Sequence, residues 1–140
     1  MEEDLNIELN DTYYNTNVEL INETLESYSS SSPQTKEYTY TNNKSYPVVI
    51  ILDHISHIRL LEFLDHTDIQ VNDVNIQKRE NNNSVLEQIY HSYNSTDYHF
   101  NNQRVVLEPG QKLYISMYNG QFSQQYPNTA RLSLIARVIS

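Results

Sequence analysis

The chain has no cysteine, no tryptophan and only two glycines in 140 residues. Without cysteine, disulfide frameworks and thiolate metal sites are excluded. Gly110 and Gly120 stand alone, so neither a phosphate-cradling loop nor a dinucleotide-binding turn can be built, and no cofactor is expected. Bases are scarce as well: nine Lys and Arg stand against eighteen Asp and Glu, giving a net charge of −9. Apart from Lys78-Arg79 they are scattered singly. Neutralising a phosphate backbone needs clustered bases, so no nucleic-acid partner is predicted. Long hydrophobic runs are missing too. The longest, Val48 to Leu52, falls far short of the roughly 18 residues needed to span a bilayer, so no membrane partner is predicted. The opening Met1-Glu2-Glu3-Asp4 has neither the basic nor the apolar segment of a secretory signal.

What is present is unevenly spread. Residues 1–35 hold eight acids and no base, and residues 36–140 hold ten acids and nine bases. The charge is therefore −8 on the first segment and −1 on the second, matching the total of −9. This divides the chain into an acidic N-terminal arm, 1–35, and a nearly neutral body, 36–140, long enough to bury a modest core. In the arm, Val18, Ile21, Leu25 and Tyr28 recur at helical spacing and predict an amphipathic helix capped by Asn17. An apolar stripe on an acidic arm needs somewhere to dock, so these four residues are the candidate partner-binding set. Ser27 to Pro33 reads as a flexible linker.

The body reads as short strands. Tyr38 to Thr41 alternates, Asn42-Asn43 is a turn candidate, and Tyr46 to Leu52 is β-branched and apolar like a strand buried on both faces. Residues 53–66 fit either a helix or a loop leading into a strand. Ile69, Val71, Val74 and Ile76 suggest strand, with a turn at Asn72-Asp73. Ser84-Val85-Leu86-Glu87 has the form of a capping box and predicts a short helix over 85–93. The clearest part is C-terminal: strand Arg104 to Leu107, a type II turn at Pro109-Gly110, strand Lys112 to Tyr118, and a long strand Thr129 to Ile139. In the last, Leu132, Leu134, Ala136 and Val138 share one face. The fold class is mainly β, a β-sandwich or jelly roll with one or two short helices and the helical arm in front.

No catalytic motif stands out. Asp53, His54, His57, Asp65, His66 and Asp68 are the residue types of a metal site, with His54 and His57 the weak candidates, but a bare H-x-x-H spacing is generic and no metal is assigned from it. Ser84, His91 and Asp97 compose a hydrolytic triad only on paper, because no nucleophile elbow accompanies them. No catalytic residue is assigned and the chain reads as a non-enzyme. Tyr98 and Tyr126, set among Asn and Gln, are candidate exposed rings for a ligand, which leaves a carbohydrate-binding module as the alternative function.

The pattern VVLEPGQKLYIS, a polar loop, then ARLSLIARVI, from Val105 to Ile139, resembles the closing hairpin and last strand of small β-sandwich virion proteins of tailed bacteriophages. YPVVII followed by DIQVNDVNIQ is similar to their earlier strands. The resemblance implies a structural protein of the phage particle, such as a head decoration, fibre, collar or tail attachment. It implies a homo-oligomer bound to protein subunits of a larger assembly and located in the virion after assembly in the host cytoplasm.

Overall fold

The computed structural model describes residues 17–29, 34–61, 72–92, 96–119 and 128–140, and every regular element within them is a strand. In chain order these are β1 (Val18–Ser29), β2 (Gln34–Thr41), β3 (Val48–Leu61), β4 (Asn72–Arg79), β5 (Val85–Ser92), β6 (Thr96–Leu107), β7 (Lys112–Asn119) and β8 (Asn128–Ile139). They form two four-stranded sheets, ordered β1-β8-β3-β6 and β2-β7-β4-β5, and all pairings are antiparallel. The chain crosses between sheets at every step except the β4–β5 hairpin. Eight strands wound in this order make the double Greek key of a jelly roll.

Period-two burial explains the strands. In β8, Ala130, Leu132, Leu134, Ala136 and Val138 are all buried, and the residues between them are not. In β7, Leu113, Ile115 and Met117 do the same from the other sheet. The core between the sheets is completed by Ile50, Leu52 and Ile55 of β3, Val74 and Ile76 of β4, and Val105 and Leu107 of β6. Two aromatic groups close the sides. Tyr38 and Tyr40 of β2 pack against the core beside β1. At the opposite side Tyr90 of β5 meets Tyr98 and Phe100 of β6, with ring centroids 5.4 and 5.6 Å away.

Both expected helices are strands. Val18–Ser29 pairs with β8 along its whole length, so it is the first strand of the sandwich although it lies within the segment read as an arm. Its true period is two: Ile21, Leu25 and Ser27 turn inward, while Val18 and Leu20 turn out. The helical spacing of Val18, Ile21 and Leu25 arose because polar residues hold some inward positions of this edge strand. The presumed capping box is the end of a hairpin turn. The Ser84 amide and hydroxyl both donate to Asn82 Oδ1, at 3.0 and 2.7 Å, and Glu80 N donates to Ser84 O at 2.8 Å. Asn83 takes the left-handed conformation, φ 73°, that such a turn demands. Asn72-Asp73 lies in β4 rather than in a turn, and β3 runs on from Val48 to Leu61 through most of the ambiguous segment. Asp65, His66, Asp68, Ile69, Val71 and Tyr126 lie outside the described residues. The turn at Pro109-Gly110 is as expected: Gly110 has φ 86° and Gln111 N donates to Glu108 O at 3.0 Å.

One irregularity positions the surface. The β3–β6 register runs Leu52 to Gln103 and then His54 to His99, leaving Asp53 against three residues of β6, Phe100, Asn101 and Asn102, the last two with φ of 55° and 60°. Asparagine tolerates this left-handed backbone better than most residues. The bulge switches which parity faces inward. Before it Val48, Ile50 and Leu52 are buried; after it Ile55 and His57 are. His54 and Ser56 are thereby turned to the outside.

Candidate functional site

The outer faces of the two sheets differ. On β2-β7-β4-β5 the outward residues of the central strands are polar and several bond to one another, while Val85 and Leu86 at one end of the edge strand β5 are exposed. Tyr114 Oη donates to Glu37 Oε2 at 2.6 Å, and the Arg79 guanidinium lies 3.5 Å from the Tyr114 ring centroid. Burial, and then the bond to Glu37, push the Tyr114 phenol above its ordinary value. Gln77 Nε2 donates to Gln88 Oε1 at 2.8 Å, Gln88 Nε2 donates to Asn75 Oδ1 at 3.0 Å, and His91 pairs with Asp73. This is a solvated sheet face.

The outer face of β1-β8-β3-β6 is apolar at one end. Register places Val18 opposite Ile139, Ile139 opposite Val49, and Val49 opposite Val106, so one apolar row crosses all four strands. The next outward row is Leu20, Arg137, Ile51 and Arg104. The third is Asn22, Ile135, His54 and His99. Val18 and Leu20 are 64% and 63% exposed and Val106 is 43% exposed. Ile51, at 6%, is sheltered between the two arginines, whose stems cover apolar surface while their heads stay in water. Arg137 Nη2 donates to Asn102 Oδ1 at 3.1 Å, and further along Arg131, opposite the exposed Ile58, donates from Nε to Glu26 Oε2 at 2.6 Å, so polar groups border the patch on this side.

Beyond the third row the face becomes a cluster of titratable groups. His54 and His99 sit directly opposite with rings stacked, centroids 4.4 Å apart and planes 24° apart. Asp97, two residues before His99 on the same outward face, hydrogen-bonds to His54 Nε2.

The expected candidates are redistributed. His54 and His57 do not converge, because His54 is outward and His57 is fully buried. Ser84, His91 and Asp97 are each engaged elsewhere, with Asn82, Asp73 and His54. Ile21 belongs to the core and Leu25 packs against it, whereas Val18 is presented to solvent. For Tyr28 only the backbone, opposite Thr129, is described. Tyr98 is 46% exposed but also stands edge-on to Phe100, centroids 5.0 Å apart, as part of the group closing the sandwich. Asp97 and His99 were missed as partners of His54 because strand register, not local spacing, joins them. Leu20, Val49 and Val106 were missed because the row exists only once four strands are aligned. No described helix is long and apolar enough to cross a membrane.

No family model matches the chain. No curated protein matches it either. Solved structures do. An infectious bursal disease virus structure, Gx strain, is 8% identical with a TM-score of 0.46, over 89% of this chain and 31% of that one. This chain thus spans about a third of the length of that protein. A decameric BFDV capsid protein is 8% identical with a TM-score of 0.40, over 88% of this chain and 98% of that one. A Yersinia pseudotuberculosis-derived mitogen is 12% identical with a TM-score of 0.29, over 73% and 86%. The described residues form a small all-β sandwich, and what it resembles here are virus structures, a capsid protein among them, and a bacterial mitogen, not tailed-phage proteins specifically. At these identities the likeness is one of strand arrangement alone.

Proposed function

We propose that the chain is a non-enzymatic structural protein of a virus particle, assembling with other protein subunits, copies of itself first, through the outer face of β1-β8-β3-β6. The observation that carries this is the apolar row Val18, Ile139, Val49 and Val106, continued by Leu20 and Ile51. A sheet face meant for water is mainly polar, as the other sheet's is across its central strands, and a contiguous apolar patch bordered by polar groups is the signature of a protein contact. With strands about 4.8 Å apart the row is about 14 Å wide, so the patch is the centre of an interface rather than the whole of one. Two copies related by a twofold axis would lay one apolar row on the other, a self-complementary contact.

Jelly rolls serve both as capsid subunits and as sugar-binding modules, and the fold alone does not choose. The apolar, aliphatic character of this face favours a protein partner. A sugar platform would offer free aromatic rings, and Tyr98 is committed to the group with Tyr90 and Phe100. The narrower assignment, to a tailed bacteriophage particle assembled in the host cytoplasm, rests on the sequence pattern of Val105 to Ile139. Of the arm 1–35 read as a tether, residues 18–29 are a strand of the sheet, so the tether role is proposed for residues 1–16, which precede it in the chain.

The test is light scattering on the full chain and on the double substitution Leu20→Asp, Val106→Asp. Both positions are exposed, so the fold should survive, as circular dichroism will check. A discrete oligomer that dissociates on substitution supports the reading. An oligomer untouched by the two aspartates, or a monomer at every concentration tried that no particle component binds, would overturn it. The tether is tested by deleting residues 1–16; deletion to residue 35 would remove β1 and unfold the sheet.

A further inference from the structure

We propose that His54, His99 and Asp97 form a binding site for a divalent transition-metal cation of the zinc type on the outer face of β3 and β6. Each offers one ligand atom, and the three atoms lie within 4.8 Å of one another. Among the described residues this is the one group of His and carboxylate side chains that close together. The donor set is suitable: two imidazoles and a carboxylate suit zinc, cobalt, nickel or copper, and do not suit calcium or magnesium, which take oxygen ligands.

The backbone supplies the arrangement. His54 and His99 occupy directly opposed positions of an antiparallel pair, and Asp97 is opposed to Ser56, the next outward residue of β3. Opposed side chains in such a pair start about 5 Å apart, so their tips reach a common ion by small ring rotations. Around a tetrahedral ion with bonds of about 2.1 Å the ligand atoms stand roughly 3.4 Å apart, so His54 and Asp97, already in hydrogen-bond contact, would part slightly to admit it while His99, within 4.8 Å, closes on the same point. His54 is half-buried and Asp97 and His99 are exposed, so the site is open to solvent and nothing rigid opposes that adjustment.

His54 Nε2 and Asp97 are hydrogen-bonded to each other, so both groups already face one point on the surface. An ion there would take the place of that bond, with His99 as third ligand and water in the fourth position. It would pin β6, an edge strand, to β3 next to the Asp53 bulge, where regular pairing is interrupted. The site was hidden in the sequence because His54 is 43 residues from Asp97.

The experiment is calorimetric titration of Zn2+ into the full chain carrying no polyhistidine tag, repeated with Co2+ while recording its visible absorption. One ion per chain, a tetrahedral cobalt spectrum and a raised Tm are expected. His54→Gln, His99→Gln and Asp97→Asn should each weaken binding by no less than the roughly 10- to 100-fold that loss of a mere supporting residue costs a metal site. His91→Gln should leave it unchanged. Absence of binding at millimolar zinc overturns the proposal. So does binding that survives in the double variant His54→Gln, His99→Gln or that disappears with His91.

Discussion

Asn42 is the test of how the strand ends of this jelly roll are held. It is 1% exposed, between β2 and β3, and its side chain is fully used. Nδ2 donates to Tyr46 O and to Leu107 O, both at 2.9 Å, and Oδ1 accepts from Lys44 N at 2.9 Å. Its own backbone bonds Gln111 and Gly110, so one residue joins the β2–β3 loop, the end of β6 and the turn before β7. Replacing it by alanine strands two carbonyls and one amide. An orphaned buried group costs about 1–3 kcal/mol. The bond to the Leu107 carbonyl is buried, while those to Tyr46 O and Lys44 N are part-buried and regain some water, so their costs fall at the low end. The total is about 3–5 kcal/mol, which at roughly 3–4 °C per kcal/mol lowers Tm by about 10–20 °C. Calorimetric or circular-dichroism melting measures it, with Asn43→Ala, an exposed neighbour, expected within about 0.5 kcal/mol of the parent. Asn42→Asp keeps the acceptor and loses the donor. It should be at least as damaging at neutral pH and partly recover in acid, where the protonated carboxyl donates again. If Asn42→Ala and Asn43→Ala melt together, the network does not hold these ends.

Two further perturbations probe the core and its rim. Leu134→Ala, at a position 1% exposed in the central strand β8, should cost about 2–5 kcal/mol, read as a lower denaturant midpoint with unchanged slope; a near-neutral result would mean that the inward face of β8 is wrong. Tyr38 and Tyr40 have phenols raised above 10.0, chiefly by burial, then for Tyr38 by Glu23 and Glu19 and for Tyr40 by Glu19. The unfolded chain therefore gives up these protons first, so their contribution to stability is complete below about pH 10 and is lost as pH rises through the raised folded values. Urea melts from about pH 9 to about pH 11 should show this fall, less steep in Tyr38→Phe; an identical slope in the variant would refute the linkage.

Where a strand lies at the centre of the fold, its chemistry is legible in the sequence. β8 and β7 are each flanked on both sides by hydrogen-bonded neighbours, their inward faces are continuously apolar, and their alternation can be read directly from Leu132, Leu134, Ala136 and Val138 or from Leu113, Ile115 and Met117. The two errors of element type fall on edge strands, β1 and β5. An edge strand buries its inward face incompletely, so polar residues are tolerated there: Glu23 is half-buried between Ile21 and Leu25, and it breaks the alternation that would have declared a strand. In β5 the register against β4 shifts twice, at Ile76/Gln77 and Lys78/Arg79, so no single parity runs through Val85 to Tyr90. What remained of both sequences matched helical spacing by chance.

Edge strands also carry much of the functional reading, β1 again and β6 at the far side of its sheet, and this is more than coincidence. A residue that departs from the pattern its secondary structure demands is under some other constraint, or none. Val18 and Leu20 break the inside-outside rule of β1 by being apolar and exposed, and Val106 does so on β6, at the far edge of the same sheet. Scattered singly, such residues would mean nothing. Register instead lines Val18 and Val106 up with Ile139 and Val49 on the two strands between them. Four independent strands thus carry an apolar side chain at one height of the solvent face, while the polar face of the other sheet has no such row. A covered face accounts for both the departures and their alignment, and the outward aspartates of the light-scattering test are placed where that covering must be felt.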